Sequence, residues 1–526
     1  MMTTAATGNS YLIGGGIGSL AAAAFMIRDA AMPGENIFIF ETLNTVGGSL
    51  DAAGDSENGY SMRGGRMFTF ENYECTWDLF KSIPSLSNAG QSVYDETVAF
   101  NKQHPVHAHA RLVDQDRGIV PVKSMGFSMN DRACLLKLIR ANEETLGNTP
   151  ISDWFAQGFF STNFWFMWVT TFAFEPWHSA VELRRYLHRF MELFSCIDTM
   201  SKIRHTVYNQ YDSLVLPLKA WLESSGVHFL VDCNVSGLAH KDEDGKFVVT
   251  EIEYQRRDKI EKTSVIDGDF VFLQNGSMTD SSSTGSMTKA PEHRLKSSDG
   301  GWSLWERLAA DRPSFGNPAV FNSSVAQSSW ASFSVTLQDT AFFDAMRAFS
   351  GDEAGLGGIV TFKDSNWLLS IALLHQPYFR EQSTQSQVFW GYALFGDRIG
   401  NFVAKPLAEC TGADILKELC GHLRFNSEIF KSANCIPCRM PYITSMFMPR
   451  LRGDRPLPVP HGSKNIGFIS QFVEIPDDVV FTVEYSIRAA QIAVYQLLNV
   501  KHSIPAVTPH DKALNTKLQA VIKALE

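Results

Sequence analysis

No run of about twenty apolar residues, the length a helix needs to span a bilayer, occurs in these 526 residues. The most apolar stretch, Phe164 to Phe174 (FWFMWVTTFAF), is far shorter and reads as a core or pocket-lining helix. The first residues, MMTTAATGNS, lack the basic segment and apolar core of a secretion signal, so export is not expected. Basic runs are missing too. Lys+Arg number 46 against 56 Asp+Glu, a formal net charge of −10, which argues against a nucleic-acid partner. Cysteine is sparse and scattered: of eight thiols only Cys435-Ile-Pro-Cys438 has C-x-x-C spacing, and no second pair completes a tetrahedral zinc site. The expectation is incidental reduced thiols, no metal and a cytoplasmic setting. Internal repeats are absent.

Aromatic residues, by contrast, are plentiful. The 38 Phe and 11 Trp suit a lining for something long and apolar, or simply a Phe-rich core. With 44% hydrophobic and 19% charged residues the chain is globular, and its length predicts two to four domains.

Between Ser10 and Glu41 the chain reads as strand, glycine turn, helix and strand. Tyr11-Leu12-Ile13 feeds Gly14-Gly15-Gly16-Ile17-Gly18-Ser19, and Leu20 to Arg28 (LAAAAFMIR) is the helix whose first amides would face a pyrophosphate. Ser19 takes the place of the third glycine of G-x-G-x-x-G and is small enough to serve. Ile37 to Phe40 supplies the next strand, and Glu41 follows Gly14 by 27 residues, near the spacing of roughly 20 for a carboxylate on the ribose hydroxyls. An acid there favours FAD or NAD over NADP. The second glycine pair, Gly47-Gly48, favours FAD.

Further along, Val227–Asp232, Lys246–Glu251, Asp269–Leu273 and Asn465–Ser470 read as strands, and Thr482–Leu498 as an amphipathic helix. This divides the chain into FAD-binding pieces at 1–124, 201–280 and 431–499, a mainly helical lid or substrate segment at 125–200, a flexible Ser/Gly/Thr-rich linker at 281–301 and a substrate-binding domain at 302–430. A C-terminal amphipathic helix falls in 500–526. Its Leu514, Leu518, Val521, Ile522 and Leu525 lie at helical spacing, with Lys512, Lys517 and Lys523 elsewhere on the wheel. Such a helix docks on its own domain, on a second subunit or on a membrane surface. Docking on protein is the simpler expectation.

More specific blocks follow: Gly47-Gly48-Ser49-Leu50-Asp51, Arg63-Gly64-Gly65-Arg66, Asn72 to Phe80 (NYECTWDLF), Trp177-His178-Ser179-Ala180, Tyr186-Leu187-His188-Arg189-Phe190, Tyr208 to Ser213 (YNQYDS), Asn275 to Thr279 (NGSMT), Pro441 to Ser445 and Gln471 to Glu474. Together they resemble the oleate hydratase family, also called myosin-cross-reactive antigens, from about residue 10 to 500. The resemblance implies a multi-domain α/β fold: a Rossmann-like, glutathione-reductase-like FAD-binding flavoprotein with inserted substrate-binding and helical lid domains. It also implies a hydro-lyase that adds water across the cis-9 double bond of oleate and related acids such as palmitoleate, with linoleate left open, giving 10-hydroxy acids. FAD then organises the site without net electron transfer.

By resemblance Tyr186 donates the proton and Gln210 is a polar pocket residue. Met67 stands where better-known members carry the glutamate that orients water, and a thioether cannot do that task. Glu71 and Glu74 are nearby in sequence. Arg66 is implied in charge stabilisation. The implied FAD contacts are Gly14, Gly16, Gly18 and Ser19 at the pyrophosphate, Glu41 at the ribose, Gly48, Ser49, Arg63, Gly64, Gly65 and Arg66 around the middle, and Ser445, Phe472 and Val473 nearer the flavin. The implied substrate pocket holds Phe174, His178, Tyr186, Gln210, Ala372, Leu374 and His375. Ala372 and Leu374 replace the Thr and Asn that hold the fatty-acid carboxylate in many relatives, which leaves that task to His375 or a neighbouring basic residue, or signals a different chain length. Two rival readings remain: an amine-oxidase or desaturase type flavoenzyme, and a fatty-acid-binding flavoprotein without turnover. Monomer and homodimer are both open, as is peripheral membrane contact.

Overall fold

Ser10–Ile13 (β1) is buried along its length and ends in a glycine turn from which helix Ile17–Ala30 (α1) starts at once. The computed structural model describes residues 8–526 apart from positions 66 and 258. The alanines at 21–24 are completely buried, because a helix with no bulk on this face can lie directly against its neighbours. Strands Ile37–Phe40 (β2), His228–Leu230 (β3), Phe270–Leu273 (β4) and Ile466–Phe468 (β5) join β1 in a parallel sheet of order β5-β4-β1-β2-β3. Their near-continuous apolar runs are what a sheet covered on both faces requires. Helix Val483–Leu497 packs against α1, with Thr482 accepting the Tyr485 amide at 3.1 Å to start it. The carboxyl ends of β1, β4 and β5 therefore open side by side, the usual location of a nucleotide cleft in such sheets.

A second, mixed sheet of seven strands carries the other half of the molecule. Its order is Ser283–Thr284, Asn434–Met440, Trp330–Leu337, Gln387–Ala393, Leu369–Leu373, Ile359–Phe362 and Leu112–Val113, antiparallel except for the last pair. Strands from both ends of the chain thus complete the sheet built on 302–430. The 281–301 segment, expected as a free linker, supplies the edge strand Ser283–Thr284. A hairpin, Ala52–Asp55 with Gly59–Met62, reaches from the first sheet to the second, where the Tyr60 amide donates to Thr336 Oγ1 at 2.8 Å. A three-stranded meander, Cys233–Glu243, Lys246–Arg256 and Lys259–Ser264, connects β3 to β4.

Helix Asn163–Phe172 packs on strands Ile359–Phe362 and Leu112–Val113 of the second sheet, and helix Ala180–Arg189 packs among helices, Met129–Arg140 and Met191–Phe194 included. The apolar pattern of 180–194 predicts one helix; it breaks at Phe190, which adopts a non-helical conformation, and resumes as Met191–Phe194. The C-terminal helix forms over Leu514–Leu525, and it inverts the expected docking. Lys523 is its buried residue, bonded to Asp198 at 2.6 Å, while Leu514, Leu518, Val521, Ile522 and Leu525 face outward with exposures from 51% to 82%. No helix among the described residues is long and apolar enough to cross a membrane.

Candidate cofactor and substrate site

The cleft at the carboxyl ends of β1, β4 and β5 has a cavity volume of about 370 Å³. Its floor is the Gly14–Ile17 turn, where Gly14 has φ +94° and a Cβ on Gly16 would lie 2.8 Å from Gln274 Oε1. Gly48, at φ +59°, brings backbone against backbone: a Cβ there would meet Gly16 Cα at 3.2 Å. Only glycine suits such a close double turn. No side chain caps α1, so its first amides are available to an anion. Glu41 is fixed beside them, Oε2 accepting the Gly15 amide at 2.7 Å and Oε1 the Leu43 amide at 2.8 Å. Burial pushes its pKa up, against the pull of those amides. Each carboxylate oxygen keeps a second lone pair for a ribose hydroxyl. Uncapped helix amides, a glycine cradle and an anchored acid fit the ADP half of a dinucleotide.

Two smaller cavities, of about 80 and 40 Å³, lie beyond the cleft. Gly65 and Met67 line both of them, and Arg63, two residues earlier, lines the cleft. The 63–67 segment therefore connects cofactor cleft and cavities. Gly65 is small because Trp390 lies on it; a Cβ would come within 3.3 Å of the indole. The first cavity is walled by aromatic and apolar groups including Phe172, Phe190, Leu193 and Phe481, with the hydroxyls of Thr69, Tyr73, Thr171, Tyr186 and Thr482 among them. The second is walled by Phe100, Ile359, Ala372, Leu373, Leu374 and Trp390, with His205, Thr206, His375 and Tyr378 as its polar side chains. No carboxylate lines either cavity among the described residues.

The MCRA family matches residues 7–495. This chain belongs to the MCRA family. It is 39% identical over 510 residues to the oleate hydratase of Streptococcus pyogenes serotype M49 (strain NZ131), covering 94% of this chain and 86% of that protein. It is 32% identical over 563 residues to the linoleate hydratase of Lactiplantibacillus plantarum, covering 98% of each. Among solved structures it resembles the CLA-producing fatty acid isomerase from P. acnes, with a TM-score of 0.50 and 12% identity over 94% of this chain and 99% of that one, a likeness of fold.

Within this MCRA chain the expected residues divide by place. Gly14, Gly16, Glu41, Gly48, Ser49, Arg63 and Phe472 line the cleft. Gly18 and Ser19 support it from behind: a Cβ on Gly18 would strike the Ile469 carbonyl at 2.5 Å, and Ser19 Oγ accepts Gln274 Nε2 at 3.0 Å. Ser445 and Val473 are buried nearby, bonded to Tyr442 and Tyr485, and line neither the cleft nor the two cavities. Gly64 packs under Trp390. Arg66 lies outside the described residues.

Tyr186, 1% exposed, lines the first cavity and donates to the Val480 carbonyl at 2.6 Å. Its helix is clamped at two points. Arg185 bridges Glu143 at 2.8 Å and Glu474 at 2.6 Å, and Arg189 bonds Glu74, Asp478 and the Asn72 carbonyl. Met67 and Tyr186 share the first cavity; Ala372, Leu374 and His375 form a wall of the second. Three expected pocket residues stand behind the walls. Phe174 meets the Tyr186 ring edge-on at 4.9 Å, and Gln210 donates to Thr206 Oγ1 at 3.3 Å. Fully buried His178 accepts the Glu175 amide on Nδ1, and burial holds its pKa down at about 3, so it is neutral. Neither nearby glutamate lines the cleft or either of the two cavities. Glu71 is exposed, and Glu74, although burial pushes its pKa up, is held at about 2 by Arg189.

Sequence reasoning missed Arg111. This fully buried guanidinium lies behind the linings, donating to the carbonyls of Ile197, Ile359 and Met167 and to Thr171 Oγ1, of which Ile359 lines the second cavity and Thr171 the first. It has no carboxylate among those partners, and burial pushes its pKa down to about 10. Nothing in His109-Ala-Arg-Leu-Val113 signals it. The glycine-rich run at 351–358, which supplies Gly355 and Gly358 to the second cavity, was likewise not singled out.

Proposed function

We propose that this chain is a fatty-acid hydratase, a hydro-lyase that adds water across the cis-9 double bond of oleate and related unsaturated acids with FAD bound in the cleft. One observation carries the reading: Arg63 lines a dinucleotide cleft, and Gly65 and Met67, a few residues on, line two apolar, hydroxyl-bearing cavities. An elongated hydrocarbon suits such cavities, and hydratase relatives covering most of the chain support the choice of chemistry. The glycine turns, Glu41, Ser49, Arg63 and Phe472 are the residues that would hold FAD, which when bound supplies a polarisable ring able to stabilise positive charge nearby.

Tyr186 is the proton donor in this reading. Its O–H bond breaks as one alkene carbon gains the proton, water oxygen bonds the other carbon, and the water's surplus proton restores the phenol, so that one water is added and no electrons are exchanged. The apolar walls exclude bulk water from the cationic carbon. Met67 gives the attacking water no base, so its position rests on hydroxyls and backbone groups. The lack of a carboxylate in either described lining favours one rival, binding without turnover. Residues 1–124, 201–280 and 431–499 form the cofactor unit in this reading, with 125–200 as helical cover and 302–430 as the substrate unit. The outward apolar face of Leu514–Leu525, with Lys512 and Lys517 exposed on the same helix or beside it, supports contact with a membrane surface, and eight free cysteines support a reducing, cytoplasmic setting.

Incubating the FAD-loaded protein with oleate in water enriched in heavy oxygen tests this. Labelled 10-hydroxystearate, with the flavin unchanged at the end, is expected. Tight oleate binding without product would replace the hydratase reading by the binding one, and substrate-dependent flavin reduction would replace it by a redox enzyme.

A further inference from the structure

A water that attacks an alkene carbon is best aimed by an acceptor that takes one of its hydrogens and leaves an oxygen lone pair facing the carbon. Met67 is no such acceptor. Among the described residues, the side chains of the first cavity able to supply one are five hydroxyls, on Thr69, Tyr73, Thr171, Tyr186 and Thr482. Four of these residues are buried, at 1% to 8% exposure. Thr171, in the last turn of helix Asn163–Phe172, is only half-buried and is the most open of the five.

The bonds these hydroxyls already make point the same way. A hydroxyl has one hydrogen and two lone pairs. Thr171 Oγ1 gives its hydrogen to the Met167 carbonyl at 2.7 Å, one turn back in its own helix, and accepts Arg111 Nη2 at 3.0 Å. One lone pair is left, its direction fixed by the two bonds, so the group meets a water in the cavity as an acceptor alone. The bonds of Thr69 and Thr482 are local and have a structural reason: Thr69 closes a turn with Asn72, and Thr482 starts helix Val483–Leu497 by accepting the Tyr485 amide. Tyr73 donates to the Met67 carbonyl at 3.3 Å. Thr171 instead holds a fully buried guanidinium from 60 residues away. Burial lowers the pKa of Arg111 to about 10, so it stays cationic at neutral pH. It lies at the C-terminal end of the Thr171 helix, where the carbonyl dipoles amount to about half a negative charge, and its field in the cavity is offset accordingly.

We propose that Thr171 is the water-binding residue of this chain, its Oγ1 accepting one hydrogen of the attacking water in place of the carboxylate that Met67 does not supply. The assignment rests on the hydratase reading above. Thr171 takes no proton and keeps its own hydrogen on the Met167 carbonyl throughout. The Tyr186 O–H bond breaks as one alkene carbon gains the proton, the water oxygen bonds the other carbon, and the water's surplus proton returns to the Tyr186 oxygen. Arg111 acts through Thr171 as a positioning residue, holding the hydroxyl in one direction. Phe172, the next residue along, meets the Tyr186 ring at 5.2 Å, so the water-binding hydroxyl and the proton donor are braced against each other across the same cavity.

The test compares FAD-loaded wild type, Thr171→Val and Thr171→Ser for flavin content, melting temperature, oleate affinity by calorimetry and kcat for 10-hydroxystearate. Valine keeps the shape and removes the oxygen, whereas serine keeps the oxygen and drops a methyl group. Thr171→Val is expected to hold FAD and oleate as wild type does and to lose about tenfold to a hundredfold in kcat, and Thr171→Ser to retain most of the wild-type rate. Thr171→Ala, which only removes atoms, gives the same comparison where valine destabilises the fold. Wild-type kcat in Thr171→Val overturns the assignment. So does a loss of kcat that Thr171→Ser shares in full, or one matched by an equal loss of oleate affinity, since either marks a packing role. Hydroxy acid from the wild type and an unaffected valine variant remove Thr171 and leave the hydratase reading standing; oleate bound without product by the wild type removes both.

Discussion

Replacing Tyr186 with phenylalanine separates a structural tyrosine from a catalytic one, because the two roles fall on different observables. The aromatic contacts, edge-on to Phe174 at 4.9 Å and to Phe172 at 5.2 Å, persist in the variant. What is lost is the hydroxyl and its 2.6 Å bond to the Val480 carbonyl, which is itself buried. An unsatisfied buried carbonyl costs about 1–3 kcal/mol of stability, a modest fall in melting temperature for a chain of this size. A positioned proton donor contributes about 10²–10⁴ to the rate, or about 3–5 kcal/mol on the barrier. Tyr186→Phe is therefore expected to bind FAD and oleate, to melt slightly earlier and to lose at least about a hundredfold in kcat. The assays are flavin absorbance, thermal denaturation and mass-spectrometric product formation on the same preparation. A variant with the stability loss but wild-type kcat would return Tyr186 to the core and leave the proton donor unassigned.

Other changes follow from the same geometry. Glu74 has its pKa depressed from 4.5 to about 2, so its ion pairs contribute stability that is full above about 4.5 and is lost as pH falls toward 2; the difference amounts to about 3 kcal/mol. Glu74→Gln should cost about 3–5 kcal/mol at neutral pH, by leaving Arg189 and Arg488 short of a counter-charge, and should flatten the acid limb of the melting curve; unchanged melting at both pH values would refute this. Gly48→Ala should weaken flavin binding, since φ +59° strains a side chain and the 3.2 Å approach to Gly16 obliges the glycine turn to shift, and wild-type flavin affinity in the purified variant would contradict it. Leu518→Glu with Ile522→Glu should leave melting within about 0.5 kcal/mol of wild type because both side chains are exposed, yet reduce co-sedimentation with anionic vesicles. Equal sedimentation would remove the membrane contact.

The cofactor half of the molecule was legible because its evidence is local. A strand, a glycine turn, an alanine-rich helix and a terminal acid occupy 32 consecutive residues from Ser10 to Glu41, and each carries its own conformational reason. The seven-stranded sheet was not legible as one unit, since Leu112–Val113 and Asn434–Met440 enter it from opposite ends of the chain and strand pairing at such separation leaves no periodic mark. The same strand disposes of the C-x-x-C motif. Cys435 and Cys438 lie buried on Asn434–Met440, burial pushing the Cys438 thiol up to about 11, so neither is the exposed thiolate that redox chemistry needs.

The site itself divides along similar lines. Tyr186, Met67 and the glycines could be singled out by resemblance, but what each one faces is a property of the fold. Glu74 illustrates the difference: seven residues from Met67 in sequence and a natural substitute for the absent carboxylate, it is turned toward Arg189 and Arg488 and spends its charge fastening the Tyr186 helix to helix Val483–Leu497. Proximity along the chain therefore made it a candidate base, whereas its actual consequence for catalysis runs through position. If that is right, Glu74→Gln lowers turnover in proportion to the mobility of the Tyr186 helix and leaves the pH at which the active site titrates unchanged. A shifted kinetic pKa in that variant would instead make Glu74 a direct participant in proton transfer.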